Sequence, residues 1–194
     1  QGYSFSKNFF SDMGAYAARN GDPNYFSMIL FAMSLTIVGI TFISYYLLLP
    51  KLLGNNRINY ILTWVGTLFA IGGSVCMIGT GFTPSDVVFA PHVFFANNIF
   101  HCFLVTAFLY TIVIFRSDGL QKRYAIGYAM FFTSILIYVI ILQYGPSVNS
   151  GESALIFQVL SQKVIVIVFC FSVIHQTFGF TKSGILKQKH SLNS

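Results

Sequence analysis

Charged side chains are scarce in this chain, and their scarcity indicates its class. Asp, Glu, Lys and Arg make up only 8% of its 194 residues, whereas about 25% of the residues in a soluble domain are charged. A chain with so few charges does not cover a water-facing surface. Because 55% of the residues are hydrophobic, the composition predicts an integral membrane protein. The formal net charge of +6 does not indicate nucleic-acid binding, because the basic residues form no continuous stripe.

Sequence signatures of catalysis and of cofactor binding are also lacking. Cys76, Cys102 and Cys170 each lie inside an apolar run, where a thiol acts as a small buried hydrophobe and not as one of a zinc or redox pair. The chain has no Ser-His-Asp spacing, phosphate loop, HExxH sequence or pair of haem-type histidines on one helix. The sequence therefore favours a protein without catalytic activity over an enzyme, and it leaves catalytic residues and any cofactor unassigned.

Long apolar runs, in contrast, are abundant, and five of them are long enough to cross a bilayer as helices. They occupy residues 25–49, 60–81, 93–115, 124–144 and 154–180. We therefore predict an all-α integral membrane protein, with an N-terminal loop at residues 1–24, a bundle of five transmembrane helices at residues 25–180 and a basic tail at residues 181–194. Pro50 is expected to end the first span. Pro91 is expected to lie near the start of the third, where a missing N–H costs little.

Two further patterns concern the packing of this bundle. Gly66, Ala70, Gly73 and Ser74 recur at three- and four-residue spacing in the second span, which gives the small-residue face that lets helices pack closely in lipid. The N-terminal loop combines Phe and Tyr with turn residues in the sequence YSFSKNFFSDMGAYAARNGDPNYF. We expect this aromatic loop to fold over the outer mouth of the bundle.

Basic residues alternate between the loops, and this alternation predicts the orientation. The first interhelical loop has Lys51 and Arg57, the third has three basic residues, and the tail is rich in lysine. The loops at residues 82–92 and 145–153 have no Lys or Arg. Because positive loops stay cytoplasmic, we expect the N-terminus outside the cell and the C-terminus inside. An exported N-terminal segment needs a carrier, so we also expect a transmembrane helix or a cleaved signal before Gln1.

Polar residues collect in the outer half of the third span. Asn97 and Asn98 precede His101 by four and three residues, so the three side chains share one helix face. His92 lies nine residues before His101, and at about 100° per residue the two histidines point to opposite faces. A metal site built by this helix alone is therefore not expected.

The last span places polar groups at a similar depth. Gln158 and Gln162 lie in its outer third beside Lys163, and a lysine charge within a membrane is costly. Lys163 is expected either to extend to the interface or to pair with an acid of the external loops. Those acids are Asp12, Asp86 and Glu152. The predicted ligand-binding residues are Asp12, Asp86, His92, Asn97, Asn98, His101, Gln158, Gln162 and Lys163.

Three motifs carry a resemblance to a known family. The sequence NFFSDMG precedes the first span, GTGFTPSD and APH precede the third, and QVLSQKVIVI lies in the last. Together they resemble a six-span prokaryotic membrane family of unknown function, which is similar to the wider DRAM/Frag/Sfk membrane group. The resemblance covers nearly the whole chain. Its shared positions are Ser11, Asp12, Gly14, Gly81, Pro84, His92, Gln162 and Lys163.

This resemblance implies a prokaryotic plasma-membrane protein with six spans in the full gene product, because a helix precedes the Ser-Asp-x-Gly loop in the family. The Asn97–Asn98 pair departs from the family pattern, in which an apolar helix surface is expected. Relatives in the wider group are linked to lipid remodelling or lipid organisation. The resemblance therefore implies lipid head groups as ligands.

The leading hypothesis is a multi-pass membrane protein that binds a lipid head group or a partner helix at its outer-leaflet side. In this hypothesis Lys163 meets a phosphate, which the amides orient through hydrogen bonds. The first alternative is an accessory structural subunit of a larger membrane complex. The second is a metal-dependent lipid hydrolase, with zinc held by Asp12, His92 and an acid of the next loop. The expected partners are thus membrane lipids or other membrane subunits, and not nucleic acid.

The predicted orientation is testable by cysteine accessibility in intact cells. In a chain whose native cysteines are replaced by alanine, Asp86→Cys is expected to react with a membrane-impermeant maleimide before lysis, and Lys187→Cys only after lysis. Reaction of both positions from the same side would contradict the orientation.

Overall fold

The computed structural model describes residues 2–117 and 122–182, and this part of the chain folds into five long helices without a β-strand. The helices are α1 (Tyr25–Leu53), α2 (Arg57–Phe82), α3 (Phe89–Arg116), α4 (Lys122–Tyr144) and α5 (Glu152–Lys182). All five are long and apolar enough to cross a membrane, and each contains one predicted span. The prediction of an all-α membrane bundle is thus confirmed. The predicted tail, beyond residue 182, lies outside the described residues.

Local sequence explains where two of the helices begin. The side chain of Asn56 accepts a hydrogen bond from the Asn59 N–H at 2.9 Å and so caps the first turn of α2. Pro91 is the third residue of α3, where its missing N–H leaves no hydrogen bond unmade. His92 therefore lies inside the first turn of α3, and not just ahead of the helix as the predicted boundary placed it.

The predicted end of the first span at Pro50 is wrong, because α1 continues through this proline to Leu53. A proline inside a helix leaves the carbonyl four residues earlier without its usual donor. Here that carbonyl belongs to Tyr46, and it accepts a hydrogen bond from the Thr67 hydroxyl of α2 at 3.0 Å. A neighbouring helix thus replaces the missing donor, as is common for proline within membranes.

The small residues of α2 form a packing face, as predicted. Gly66, Ala70, Gly73 and Ser74 are all buried. A Cβ atom added at Gly66 would lie 3.0 Å from the ring of Tyr110, and one added at Gly73 would lie 2.9 Å from the ring of Phe103. Since real Cβ atoms rarely approach other atoms so closely, the absence of side chains allows α3 to lie directly against α2.

Each helix packs against its neighbour in sequence, whereas the backbones of α1 and α5 make little contact. Side chains bridge part of this seam through aromatic pairs. The rings of Phe42 and Phe169 lie 5.2 Å apart, and those of Tyr45 and Phe180 lie 6.3 Å apart. The remaining part of the seam, toward the start of α1, encloses a cavity. The bundle is therefore an arc of helices with its first and last members incompletely joined.

Residues 2–24, named the N-terminal strap, fold across one end of the bundle. The strap contains a 3₁₀ helix at Phe10–Gly14 and a β-bridge between Ala17 and Pro23. It contacts both the loop between α2 and α3 and the start of α5. The expectation that the aromatic N-terminal loop folds over the bundle is confirmed, and the two loops without basic residues lie at the same end.

The Thr67–Tyr46 hydrogen bond is expected to stabilise the bundle measurably. Thr67→Val keeps the shape of the side chain but leaves the Tyr46 carbonyl without a donor and removes the hydrogen bond to the Tyr110 hydroxyl, and an unsatisfied buried group costs about 1–3 kcal/mol. Thermal unfolding in detergent would record this loss. Thr41→Val is the matched control, because Thr41 is exposed and donates only to Ile37 of its own helix. Equal stability of the two variants would contradict the role given to Thr67.

Candidate functional site

The amine of Lys163 lies among the aromatic rings of the N-terminal strap. Its Nζ atom is 3.7 Å from the centre of the Phe10 ring, 4.9 Å from that of Tyr3 and 5.2 Å from that of Phe5. It also donates a hydrogen bond to the Tyr3 hydroxyl. The residue as a whole is only 1% exposed. One intramembrane lysine and three rings that precede it by more than 150 positions thus form a single cluster.

Within the described residues, Lys163 contacts aromatic rings and not a carboxylate. Its amine does not reach water, and it forms no ion pair with a carboxylate of the described residues. A charge inside a bilayer costs roughly 2.5–3.5 kcal/mol, whereas a desolvated cation over an aromatic face gains about 2 kcal/mol. Because Tyr3 and Phe5 are about half exposed, the rings offset only part of that cost. They supply the direct contacts, while Asp12 lies close enough to attract the charge without forming an ion pair with it.

The acids expected near Lys163 are engaged elsewhere. Glu152 forms an ion pair with Lys7. Asp12 accepts hydrogen bonds from Asn8 at 2.8 Å and from Arg19 at 2.9 Å. Both ion pairs include an exposed basic side chain, and such pairs contribute little to stability. They organise the strap, and of these two acids only Asp12 lies close enough to Lys163 to act on its charge.

Asp86 fastens the loop between α2 and α3 to the strap. Its two carboxylate oxygens accept the backbone N–H groups of Tyr16, at 2.9 Å, and of Ala17, at 2.8 Å. Partial burial raises the pKa of Asp86, but hydrogen bonds from Ala17, Tyr16 and its own N–H outweigh this effect and hold the pKa below its ordinary value. Asp86 is therefore a structural link made by the ionised carboxylate.

Gln162 and Gln158 hold other parts of the chain against α5. The Gln162 side chain accepts a hydrogen bond from the N–H of Phe10 at 2.9 Å, which places it beside the Lys163 cluster. Gln158 donates to the carbonyl of Pro146 at 3.0 Å and so faces the loop between α4 and α5. The two predicted glutamines thus act on different segments.

The predicted residues of α3 bond locally. A ring nitrogen of His92 lies 2.6 Å from the carbonyl of Thr83 and closes the loop that precedes the helix. His101 lies 2.9 Å from the carbonyl of Asn97, and Asn98 donates to the carbonyl of Phe94 at 2.8 Å. These groups satisfy their hydrogen bonds within or next to their own helix, and they make no hydrogen bond to the strap.

Two cavities adjoin at the strap. The apolar cavity, of about 520 Å³, lies between α1 and α5, and Phe10, Ser11 and Met13 close its strap end. The polar cavity, of about 790 Å³, lies between the strap and the loop between α2 and α3. Met13 and Ser27 line both cavities, and the Ser27 hydroxyl donates to the Met13 carbonyl at 2.8 Å. This contact separates a polar compartment from an apolar one.

The predicted residues divide unevenly between these cavities. Gln162 lines the apolar cavity, whereas Asp12 and Asp86 line the polar one. The remaining predicted residues line neither of the two: His92, Asn97, Asn98, His101, Gln158 and Lys163.

Zinc-dependent chemistry would require several ligands at one point. Within residues 2–117 and 122–182, no group of three or more His, Cys, Asp or Glu side chains is placed to hold a metal ion. Asp12 is bound by Asn8 and Arg19, and His92 by the Thr83 carbonyl. The set suggested for a hydrolase, Asp12 with His92, is therefore not assembled in the described residues.

Comparison of the chain with protein-family models, with curated proteins and with solved structures finds no match in any of the three. The resemblance to a six-span prokaryotic family thus stays a prediction.

Tyr3, Phe5 and Phe10 are not among the residues predicted for the site. Their sequence context is that of anchors of an aromatic loop, which is the common role of aromatic residues at a membrane interface. The signal that points to them is the combination of an aromatic-rich external segment with an unpaired lysine in a span. Pairing the two from sequence alone requires knowing that the strap returns to α5.

Attachment of the strap by Asp86 is expected to depend on pH. Because the pKa of Asp86 is lowered, its contribution is complete above the ordinary value of an aspartate and is lost as the pH falls through the lowered pKa. Hydrogen-exchange protection of the Ala17 amide, corrected for the intrinsic rate, should fall in that acidic range. Asp86→Asn should remove this pH dependence. Asp22→Asn is the control, since Asp22 bonds to Asn20 within its own turn.

Proposed function

We propose that this multi-pass membrane protein binds a membrane lipid at the end of the bundle covered by the N-terminal strap. The observation that supports the proposal is the position of an apolar cavity beside a polar one, with Met13 and Ser27 common to both. A lipid has the same arrangement, since its hydrocarbon chain adjoins a polar head group. Both cavities have volumes within the range of about 300–1,000 Å³ that is typical of ligand sites.

The apolar cavity suits a hydrocarbon chain by its lining and its place. It is lined by residues of all five membrane-length helices, and it lies where the backbones of α1 and α5 make little contact. Its few polar lining groups include Ser34, whose hydroxyl is already bonded to the Leu30 carbonyl. A chain placed there contacts side chains such as Phe103 and Ile165, and its burial is favourable because it fills space between well-packed helices.

The polar cavity suits a head group that carries both signs of charge. It is lined by the basic residues Lys7 and Arg19 and by three acids, Asp12, Asp22 and Asp86. A zwitterionic phospholipid places a phosphate and an ammonium group within one head group, so each finds an opposite charge there. Lys163 is not assigned a contact with the phosphate, because the strap encloses its amine.

Placement of the lipid relative to the cell follows from the charge pattern of the loops. The strap and the loops without basic residues lie at one end of the bundle, and the positive-inside rule assigns that end to the outside. The proposed ligand is therefore a lipid of the outer leaflet. An accessory role in a larger complex is the competing proposal.

Filling the apolar cavity is expected to weaken lipid binding. Val38→Trp adds bulk at a residue that lines the cavity, so it should lower the affinity for phosphatidylethanolamine by roughly tenfold, equivalent to about 1.4 kcal/mol, and with it the occupancy in a titration. Native mass spectrometry of delipidated protein titrated with phosphatidylethanolamine or phosphatidylglycerol measures this occupancy.

Ile37→Trp is the matched control, because Ile37 is the adjacent residue, is 61% exposed and does not line the cavity. Equal occupancy in Val38→Trp and Ile37→Trp would overturn the proposed site. A protein that binds neither lipid but copurifies in stoichiometric amount with another membrane protein would favour the accessory role.

A further inference from the structure

The strap is attached to the bundle by several contacts, which include the Lys7–Glu152 ion pair and the hydrogen bonds from Asn24 and Ser27, at the start of α1, to the Met13 carbonyl. Two other attachments are far apart and differ in chemistry. One lies at residues 16 and 17, where backbone N–H groups donate to Asp86. The other lies at residues 3–10, where three rings and one hydroxyl surround Lys163 and the N–H of Phe10 donates to Gln162. Between them, Phe10, Ser11 and Met13 form the wall of the apolar cavity. Uncovering the cavity therefore requires release of the second attachment together with the hydrogen bonds to the Met13 carbonyl, while the Asp86 link keeps the strap on the bundle.

We propose that Lys163 is the positioning residue that holds the strap as a lid across the apolar cavity, so that a lipid occupies both cavities only after the rings leave the amine. This inference rests on the proposed lipid binding and adds how access to the site is controlled. It assigns Lys163 a role through Tyr3, Phe5 and Phe10, without contact to the ligand.

The chemistry of the cluster supports a lid that opens. The amine is held by ring faces and one hydroxyl, without an ion pair among the described residues. Such an attachment is strong only while water is excluded, because a cation over an exposed ring gains much less than a desolvated one. Tyr3 and Phe5 already expose about half of their surface, at 46% and 58%. Once the strap begins to lift, water reaches the amine and further separation becomes easier.

The Met13–Ser27 contact supports the same role. It lies where the two cavities meet, and it consists of one hydrogen bond of 2.8 Å to a backbone carbonyl of the strap. A lipid with its chain in one cavity and its head group in the other must displace this contact. The strap must therefore move at Met13 before the two cavities can join.

The inference is tested with Lys163→Met, which keeps an unbranched apolar side chain and removes the charge. Hydrogen exchange at Phe10, whose amide bonds to Gln162, should accelerate by roughly tenfold, since it follows the population of the open strap. Exchange at Ala17, held by Asp86, should stay the same and serves as an internal reference. Replacement of bound phosphatidylethanolamine by its deuterated form should accelerate to a similar extent, as followed by native mass spectrometry.

Three further variants complete the test. Lys163→Arg should restore slow exchange at Phe10, because a guanidinium group also stacks on aromatic rings. Phe5→Leu removes one ring that lines neither cavity. It should also accelerate exchange at Phe10, so the anchor can be tested even if Lys163→Met fails to fold. Lys51→Met, an exposed lysine in the last turn of α1, is the control and should change nothing.

The outcomes separate this inference from the proposed function. Unchanged exchange at Phe10 in both Lys163→Met and Phe5→Leu would overturn the anchor, whether or not lipid binds. Faster exchange at Phe10 with unchanged lipid replacement would overturn the lid and leave lipid binding intact. A selective loss of affinity for phosphatidylglycerol in Lys163→Met, with unchanged exchange at Phe10, would overturn the lid and indicate instead that Lys163 contacts the lipid head group. Absence of lipid binding in every variant would overturn the proposed function and the lid with it.

Discussion

A buried positive charge is the constraint on which the strap end of this protein depends. Lys163 lies inside a helix that is apolar enough to span a membrane, and its charge must be compensated by whatever surrounds it. The chain meets that requirement in part with aromatic faces from its first ten residues. Because these rings come from a non-helical segment, the compensation also brings that segment across the bundle. The position of the strap, the closed end of the apolar cavity and the polar cavity above it all follow from this arrangement.

The two kinds of helix contact in the bundle arise from different residue types. The small residues Gly66 and Gly73 place α2 directly against α3, whereas α1 and α5 meet through the large rings of Phe42, Phe169 and Tyr45. The apolar cavity lies where the backbones of α1 and α5 make little contact, and residues of all five helices line it.

Much of the fold is predictable from the sequence, because a bilayer requires long apolar helices and five such runs are evident. The small-residue face of α2 is likewise visible as a spacing. Pro50 was misassigned, since its effect depends on Thr67, a residue of another helix that supplies the missing donor. The site was predictable only in part. Lys163 is evident from the free-energy cost of a charge in the membrane, and Gln162 is its polar neighbour, but their partners Tyr3 and Phe10 lie far away in sequence. Contacts of that range follow from the folded path of the chain and not from local pattern.

The aromatic pairs between α1 and α5 have a mechanical consequence. Glycine contacts between helices fix their separation, because backbone atoms lie directly against side chains that have no room to move. Rings whose centres are 5.2 and 6.3 Å apart can tilt and slide at little cost, as edge-to-face geometries tolerate a range of distances. The seam between α1 and α5 is thus more compliant than the glycine-packed boundary between α2 and α3, so its width can adjust while that boundary keeps its spacing.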